Sequence, residues 1–252
     1  IPCMIKGYYN FPQACFEMTS GYSTTGLSVV DVGNTPHIFL MFRSITLFVG
    51  GVGLVLIITS AFSDRYGLNL YNAEGHNDRL LPNLTNSARM ILSFYTIYIL
   101  CGTLAYILFG MPVFDAINTS IAALSTGGFS VINESIYGYH SLPIELVTIV
   151  LMIMGQTNFV LHLNIFRRKY KNYFRHCETK FFFFLLFTFT FIMCMNLITS
   201  GYETDFFESL RISLFQFVTC ITTTGFVSVK DMSVLPPGFI TVMILMMLIG
   251  GD

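Results

Sequence analysis

Apolar residues in this chain fall in long, nearly unbroken blocks, not in the alternating pattern of half-buried strands or the 3.6-residue spacing of surface helices. A hydrocarbon layer of about 30 Å takes roughly 20 apolar residues per helix. Four runs reach that length: Ile38 to Phe62, Met90 to Phe109, Ile144 to Ile165 and Phe181 to Thr199, each ended by charged residues, Gly, Pro or Asn. A fifth, Phe239 to Gly250, is shorter. Between them lie three segments of another kind, each a half-length apolar stretch followed by a hydroxyl-rich turn with glycine: Phe16 to Ser28, Phe114 to Ser130 and Phe206 to Ser228. Aligned on the glycine they read Ser23-Thr24-Thr25-Gly26, Ser125-Thr126-Gly127-Gly128 and Thr222-Thr223-Thr224-Gly225, with glycines 102 and 97 residues apart. That is an internal repeat. The pattern predicts an all-α polytopic membrane protein of repeated helix, re-entrant loop, helix units.

Composition excludes a water-soluble globule: of 252 residues 54% are hydrophobic and only 11% charged, against about 25% charged in soluble domains. Mean hydropathy is +0.67. With 13 Lys+Arg against 14 Asp+Glu, no basic surplus exists to attract nucleic acid. Six scattered cysteines without a C-x-x-C pair predict neither a disulfide framework nor a zinc site, and five isolated histidines predict no metal cluster. The chain starts at Ile1 and stops at Asp252 directly after an apolar run, which leads us to expect a fragment of a longer protein.

Charge placement sets the orientation. Nine of the 13 basic residues lie in or beside two linkers: Arg65, Arg79 and Arg89, then Arg167, Arg168, Lys169, Lys171, Arg175 and Lys180. The positive-inside rule puts both in the cytoplasm. The opposite connections carry Asp31, Glu134, Glu145, Glu203 and Asp205, with Lys230 and Asp231 a mixed pair, and are expected outside. The units then run 1–62, with short helix, glycine turn and inward helix but without a first outward helix; 88–166, complete; and 181–252, with the inward helix expected to be cut short. Residues 63–87 and 167–180 form the cytoplasmic linkers.

Each hydroxyl-rich segment is too short to cross, and irregular backbone at membrane depth survives only where protein buries it or water bathes it. Three such turns imply a shared aqueous path. A cation leaving water needs its hydration shell replaced, which a ring of main-chain carbonyls does without formal charge. Glycine permits the backbone angles that turn carbonyls inward. A short helix ahead of each turn points its carbonyl end, about half a negative charge, at the path. Asp115 and Glu208 sit early in their short helices, where an acid complements the positive end; Glu17 occupies such a place less clearly.

These three turns, the run Arg43-Ser44-Ile45-Thr46-Leu47-Phe48-Val49-Gly50-Gly51-Val52-Gly53 and the run Gly155-Gln156-Thr157-Asn158-Phe159 resemble the membrane (TrkH-like) subunit of Trk-type potassium transporters, in the Trk/Ktr/HKT superfamily. The resemblance covers essentially the whole chain. It implies potassium-channel-like architecture, four repeats around one potassium path and potassium uptake across the plasma (inner) membrane. It carries the filter role onto Thr24, Thr25, Gly26, Thr126, Gly127, Gly128, Thr223, Thr224 and Gly225, with potassium as substrate and no covalent cofactor. It further implies a homodimer and a cytosolic nucleotide-binding regulatory subunit on the side of the 167–180 linker. Gly127 departs from the Thr of the other strands, tolerably if the carbonyl coordinates. The fourth repeat and the family's gating loop fall beyond this sequence, so the fragment alone is not expected to conduct selectively.

The remaining polar positions are weighed one by one. Gly50, Gly51, Gly53 and Gly155 are expected to serve close packing. Gln156 and Asn158 either join helices or line a vestibule. Arg43 is expected to snorkel to the outer interface. Arg211 either pairs with Glu208 at helical spacing, which we favour, or sits at the outer mouth. Of the glycosylation patterns at Asn83, Asn118 and Asn133, only Asn133 is expected to be reachable. Two other functions compete: an intramembrane Ser/Thr-dependent enzyme, for which no base stands near the hydroxyl turns in the sequence, and a non-transporting membrane scaffold.

Overall fold

A computed structural model describes residues 9–51, 53, 84–157, 161–162 and 177–250. Among these residues the chain is helical with no strand. The helices, in chain order, are α1 (Phe11–Tyr22), α2 (His37–Gly51), α3 (Leu84–Leu108), α4 (Val113–Leu124), α5 (Leu142–Gln156), α6 (Cys177–Thr199), α7 (Phe206–Ile221) and α8 (Pro237–Gly250). A short 3-10 turn precedes each of α2, α5 and α8, at Val32–Asn34, Ser135–Tyr139 and Met232–Val234. The order therefore repeats: α1 and α2, then α3, α4 and α5, then α6, α7 and α8.

Length separates the two kinds of helix. At ~1.5 Å per residue, α3 and α6, with 25 and 23 residues, exceed a hydrocarbon layer of about 30 Å. The 12, 12 and 16 residues of α1, α4 and α7 do not. The short helices are started by their own sequence. Gln13 accepts from the Asn10 backbone N–H at 3.0 Å with Pro12 in the first turn. Pro112 precedes α4. Asp205 accepts from the Phe207 N–H at 3.2 Å.

Within a set the helices pack on one another, α1 on α2, α3 on α4 and α5, and α6 on α7 and α8. The sets are joined by α2 against α4 and by α5 against α7. Each short helix of the later sets is thus wedged between helices of its own set and the last helix of the preceding one. Phe215, Phe217, Phe226 and Phe239 lie fully buried in the resulting core, whereas Phe184, Phe187 and Phe191 of α6 stay exposed on the outer face, as side chains meeting lipid would.

Several sequence boundaries shift. The first short helix begins at Phe11, not Phe16, because Asn10, Pro12 and Gln13 form a start signal ahead of the apolar stretch. Helices α3 and α6 begin at Leu84 and Cys177, inside the expected linkers. The run expected unbroken from Ile144 to Ile165 stops as a helix at Gln156, since Thr157 turns extended at φ −64°, ψ 133°. There the Gln156 side chain is engaged by a neighbouring set. The second half of the expected Ile38 to Phe62 span, Asn83, Asn158 and most of both basic linkers lie outside the described residues.

Candidate functional site

The three short helices end in one and the same backbone turn. The N–H groups of Thr25, Gly127 and Thr224 each donate to the carbonyl five residues back, on Ser20, Ala122 and Thr219, at 3.0 Å. The N–H groups of Thr24, Thr126 and Thr223 donate to Gly21, Ala123 and Cys220 at 3.1, 3.3 and 3.1 Å. This is the Schellman pair of hydrogen bonds, whose left-handed residue is usually glycine. Here it is threonine three times, each at φ +52°. A β-branched residue with positive φ is a true outlier, of the kind that surrounding structure must impose. Capping hydroxyls repeat as well: Ser23, Ser125 and Thr222 donate to the carbonyls of Thr19, Ile121 and Val218 at 2.7, 2.7 and 2.8 Å.

The glycine two residues on returns to positive φ in every set, +76° at Gly26, +65° at Gly128 and +85° at Gly225. The backbone thus alternates in sign over three residues. Among the described residues, no hydrogen bond ends on the carbonyls of the nine positions from Thr24 to Gly26, Thr126 to Gly128 and Thr223 to Gly225. A peptide oxygen left unpaired needs water or a cation.

The strands stand side by side in register. A Cβ added at Gly26 would fall on the Gly127 carbonyl oxygen, and one at Gly128 on the Thr224 carbonyl oxygen. The same atom of each following strand therefore abuts the same glycine of the one before. Gly127 itself is not required by its own φ; its missing side chain leaves room for Leu47 of α2. In the flanking strands the corresponding threonines use their hydroxyls locally, Ser23 to Thr25 at 2.7 Å and Thr222 to Thr224 at 2.8 Å.

Glycines of the long helices let this assembly close. Gly50, Gly155 and Gly250 each press against the carbonyl of the last residue of the short helix in their own set, Tyr22, Leu124 and Ile221. Gly51 lies against Ser125 of the next set. The expected packing role holds for Gly50, Gly51 and Gly155, and the structure adds Gly250 to them. Between sets, Ser44 donates to Asn118 at 2.5 Å and Gln156 donates to the Ile221 carbonyl at 2.8 Å, so Gln156 joins helices. Asn118 is buried in α4, and Asn133 is exposed.

Charged side chains depart furthest from expectation. Arg43 does not snorkel: it is 4% exposed and its Nε lies 3.1 Å from the Glu17 carboxylate. Glu17 is not an acid of the first turn but a buried mid-helix group. Both moves have one cause, since the charges neutralise each other away from water. Arg211 pairs with Glu208 at 2.8 Å and, across sets, with Glu145 at 3.1 Å; a contact between α5 and α7 has no signature in local spacing. Asp115 accepts from the Tyr139 hydroxyl at 3.0 Å. In the exposed loops, hydrogen bonds from Asn133, Asn34 and Gly33 hold the Asp31 carboxyl below the ordinary carboxylate range, and Ser233 does so for Asp231. Both therefore stay ionised at neutral pH. No cluster of three metal-ligating side chains occurs among the described residues.

Comparison with known proteins fits this geometry. The family model TrkH, "Cation transport protein", matches residues 6–252. The chain belongs to the TrkH family. The Trk system potassium uptake protein TrkH of Halomonas elongata is 31% identical over 262 residues, covering 100% of this chain and 54% of that protein. The Trk system potassium uptake protein TrkG of Escherichia coli is 34% identical over 180 residues, 68% of this chain and 37% of that protein. The crystal structure of the potassium transporter TrkH from Vibrio parahaemolyticus superposes with a TM-score of 0.81 at 24% identity, over 94% of this chain and 49% of that one. The all-helical TrkH fold is thereby shared, and the chain spans about half the length of these relatives.

Proposed function

We propose that the chain supplies three strands of a cation filter in a potassium uptake protein of the plasma membrane. The observation that carries this reading is the threefold turn: alternating positive φ, nine unpaired carbonyls and neighbouring strands in register. Carbonyls of Thr24 to Gly26, Thr126 to Gly128 and Thr223 to Gly225 replace the water around potassium. The carbonyl ends of α1, α4 and α7 add negative potential at the same place and disfavour anions. The relatives named for potassium uptake support the choice of ion. Each helix set is one unit of the pore, with units over 1–62, 88–166 and 181–252 joined by cytoplasmic linkers, and a fourth strand of the same form closes the ring. The transporter pairs as a homodimer and meets a cytosolic nucleotide-binding subunit through its basic linkers.

The test is growth. The natural gene product carrying this sequence, expressed in a cell lacking potassium uptake, is expected to restore growth at low potassium; failure to do so at normal membrane abundance refutes the reading. Gly128→Ser is expected to change the preference among potassium, rubidium and sodium. An unchanged flux would point to a scaffold.

A further inference from the structure

Just past the first strand lies a buried ion pair whose counterparts by position in the other two sets are neutral. Glu17 in the middle of α1 accepts the Ser28 hydroxyl at 2.9 Å and the Val29 N–H at 2.7 Å, both just past the strand glycine. Its other oxygen meets Arg43 Nε of α2 at 3.1 Å. Arg43 also donates to Ser28 at 2.9 Å. Its guanidinium sits 4.1 Å above the ring of Phe129, the residue that follows Gly128 in the second strand. Glu17 and Arg43 are 1% and 4% exposed.

One ion pair therefore ties together a short helix, the exit of strand one, a long helix and the exit of strand two. The other sets carry neutral residues at the matching positions. Counted back from the strand glycine, the position of Glu17 is Thr119 in the second set and Gln216 in the third. Counted back from the packed glycine of the long helix, that of Arg43 is Thr148 and Met243. In the third set Gln216 still reaches the strand exit, donating to Ser228 at 3.5 Å, and its turn repeats the Schellman pair of hydrogen bonds and the threonine φ of +52° found in the first. The turn thus forms without the charges. The pair does something besides.

We propose that Glu17 and Arg43 are positioning residues for ion selection: they fix the spacing of the first strand against the second, and so the size of the carbonyl cage between them. The inference rests on the filter reading above. The pair suits this task because the planar guanidinium meets Glu17 and Ser28 of the first set along its edge and the Phe129 ring of the second with its face, where a hydrophobic pair would give packing without direction. It also sets only one side of the path, so the three strands are not equivalent to an ion passing them.

The molecule itself supplies the variant for a test. Glu17→Gln with Arg43→Met installs the residues of the third set and leaves no charge unpaired. Each single variant strands one buried charge and is expected to lower membrane abundance sharply, whereas the double variant is expected to keep wild-type abundance. Its potassium-over-sodium preference, measured as competitive rubidium uptake in the natural gene product, is expected to fall about fivefold, equivalent to ~1 kcal/mol of discrimination. Arg43→Lys, which keeps the charge and loses the fork, is expected to fall between the two. A double variant of normal abundance whose ion preference equals wild type overturns the positioning role. A double variant that also fails to accumulate makes the pair a folding element and overturns it equally. Wild-type protein that takes up no rubidium at all refutes instead the filter reading.

Discussion

A threonine at φ +52° holds its Cβ against the neighbouring carbonyl, at a cost of about 1–2 kcal/mol, and this chain does so at Thr24, Thr126 and Thr223. Glycine would remove the strain but would add backbone freedom, and with it the loss of a single carbonyl orientation. A fixed carbonyl orientation serves the filter proposed above. The adjacent positions behave differently because what faces them differs. At Gly128 the obstacle is the backbone of the third strand, and at Gly127 it is the end of the Leu47 side chain. Gly128→Ala, which meets the same backbone as Gly128→Ser, is therefore expected to lower uptake and shift the ion preference with it, through strain in excess of the ~1 kcal/mol that compatible glycine replacements change. Gly127→Thr, the residue of the flanking strands, is expected to lower uptake several-fold alone and to recover it when combined with Leu47→Ala. Rubidium flux in membranes of matched protein content measures all three; no rescue by Leu47→Ala would show that Gly127 answers to the ion path and not to α2.

At the scale of elements, the decisive contact is that of a long-helix glycine on the last carbonyl of a short helix, at Gly50, Gly155 and Gly250. A short apolar helix buried at membrane depth cannot satisfy its terminal carbonyls with solvent, so its end must be shielded and aimed. Small residues allow this approach, as they do between membrane helices generally. Gly155→Val inserts bulk against backbone that has no rotamer to yield. It is expected to cost about 1–3 kcal/mol, as overpacking does, seen as a lower apparent Tm in detergent and weaker membrane accumulation. The equivalent change in a lipid-facing stretch of α6, Phe187→Val, is expected to do neither. An equal loss at both sites would remove the special role given to the glycine contact. Helix type and short length were legible from apolar runs and glycine turns. The start of α1 was legible in Asn10, Pro12 and Gln13, and the end of α5 at Gln156 was not, because nothing local marks it.

Over the whole molecule each last helix docks on the next short helix, so that equivalent strands become neighbours. A crystal of the natural gene product soaked in rubidium is expected to show anomalous density between the strands at Gly26, Gly128 and Gly225; density confined to the exposed loops at Asp31 and Asp231 would contradict a carbonyl site. The sequence by itself determined the class of the fold and the number of glycine turns in these residues, with the turns falling at Thr24 to Gly26, Thr126 to Gly128 and Thr223 to Gly225, because apolar length and a repeated turn are local properties of a chain in lipid. Only the tertiary structure decided that Arg43 turns inward to Glu17, that Arg211 reaches Glu145, and that Leu47 accounts for Gly127. Those contacts join residues whose separation along the chain carries no information, and whether a charge is buried depends on which partner the packing brings to it.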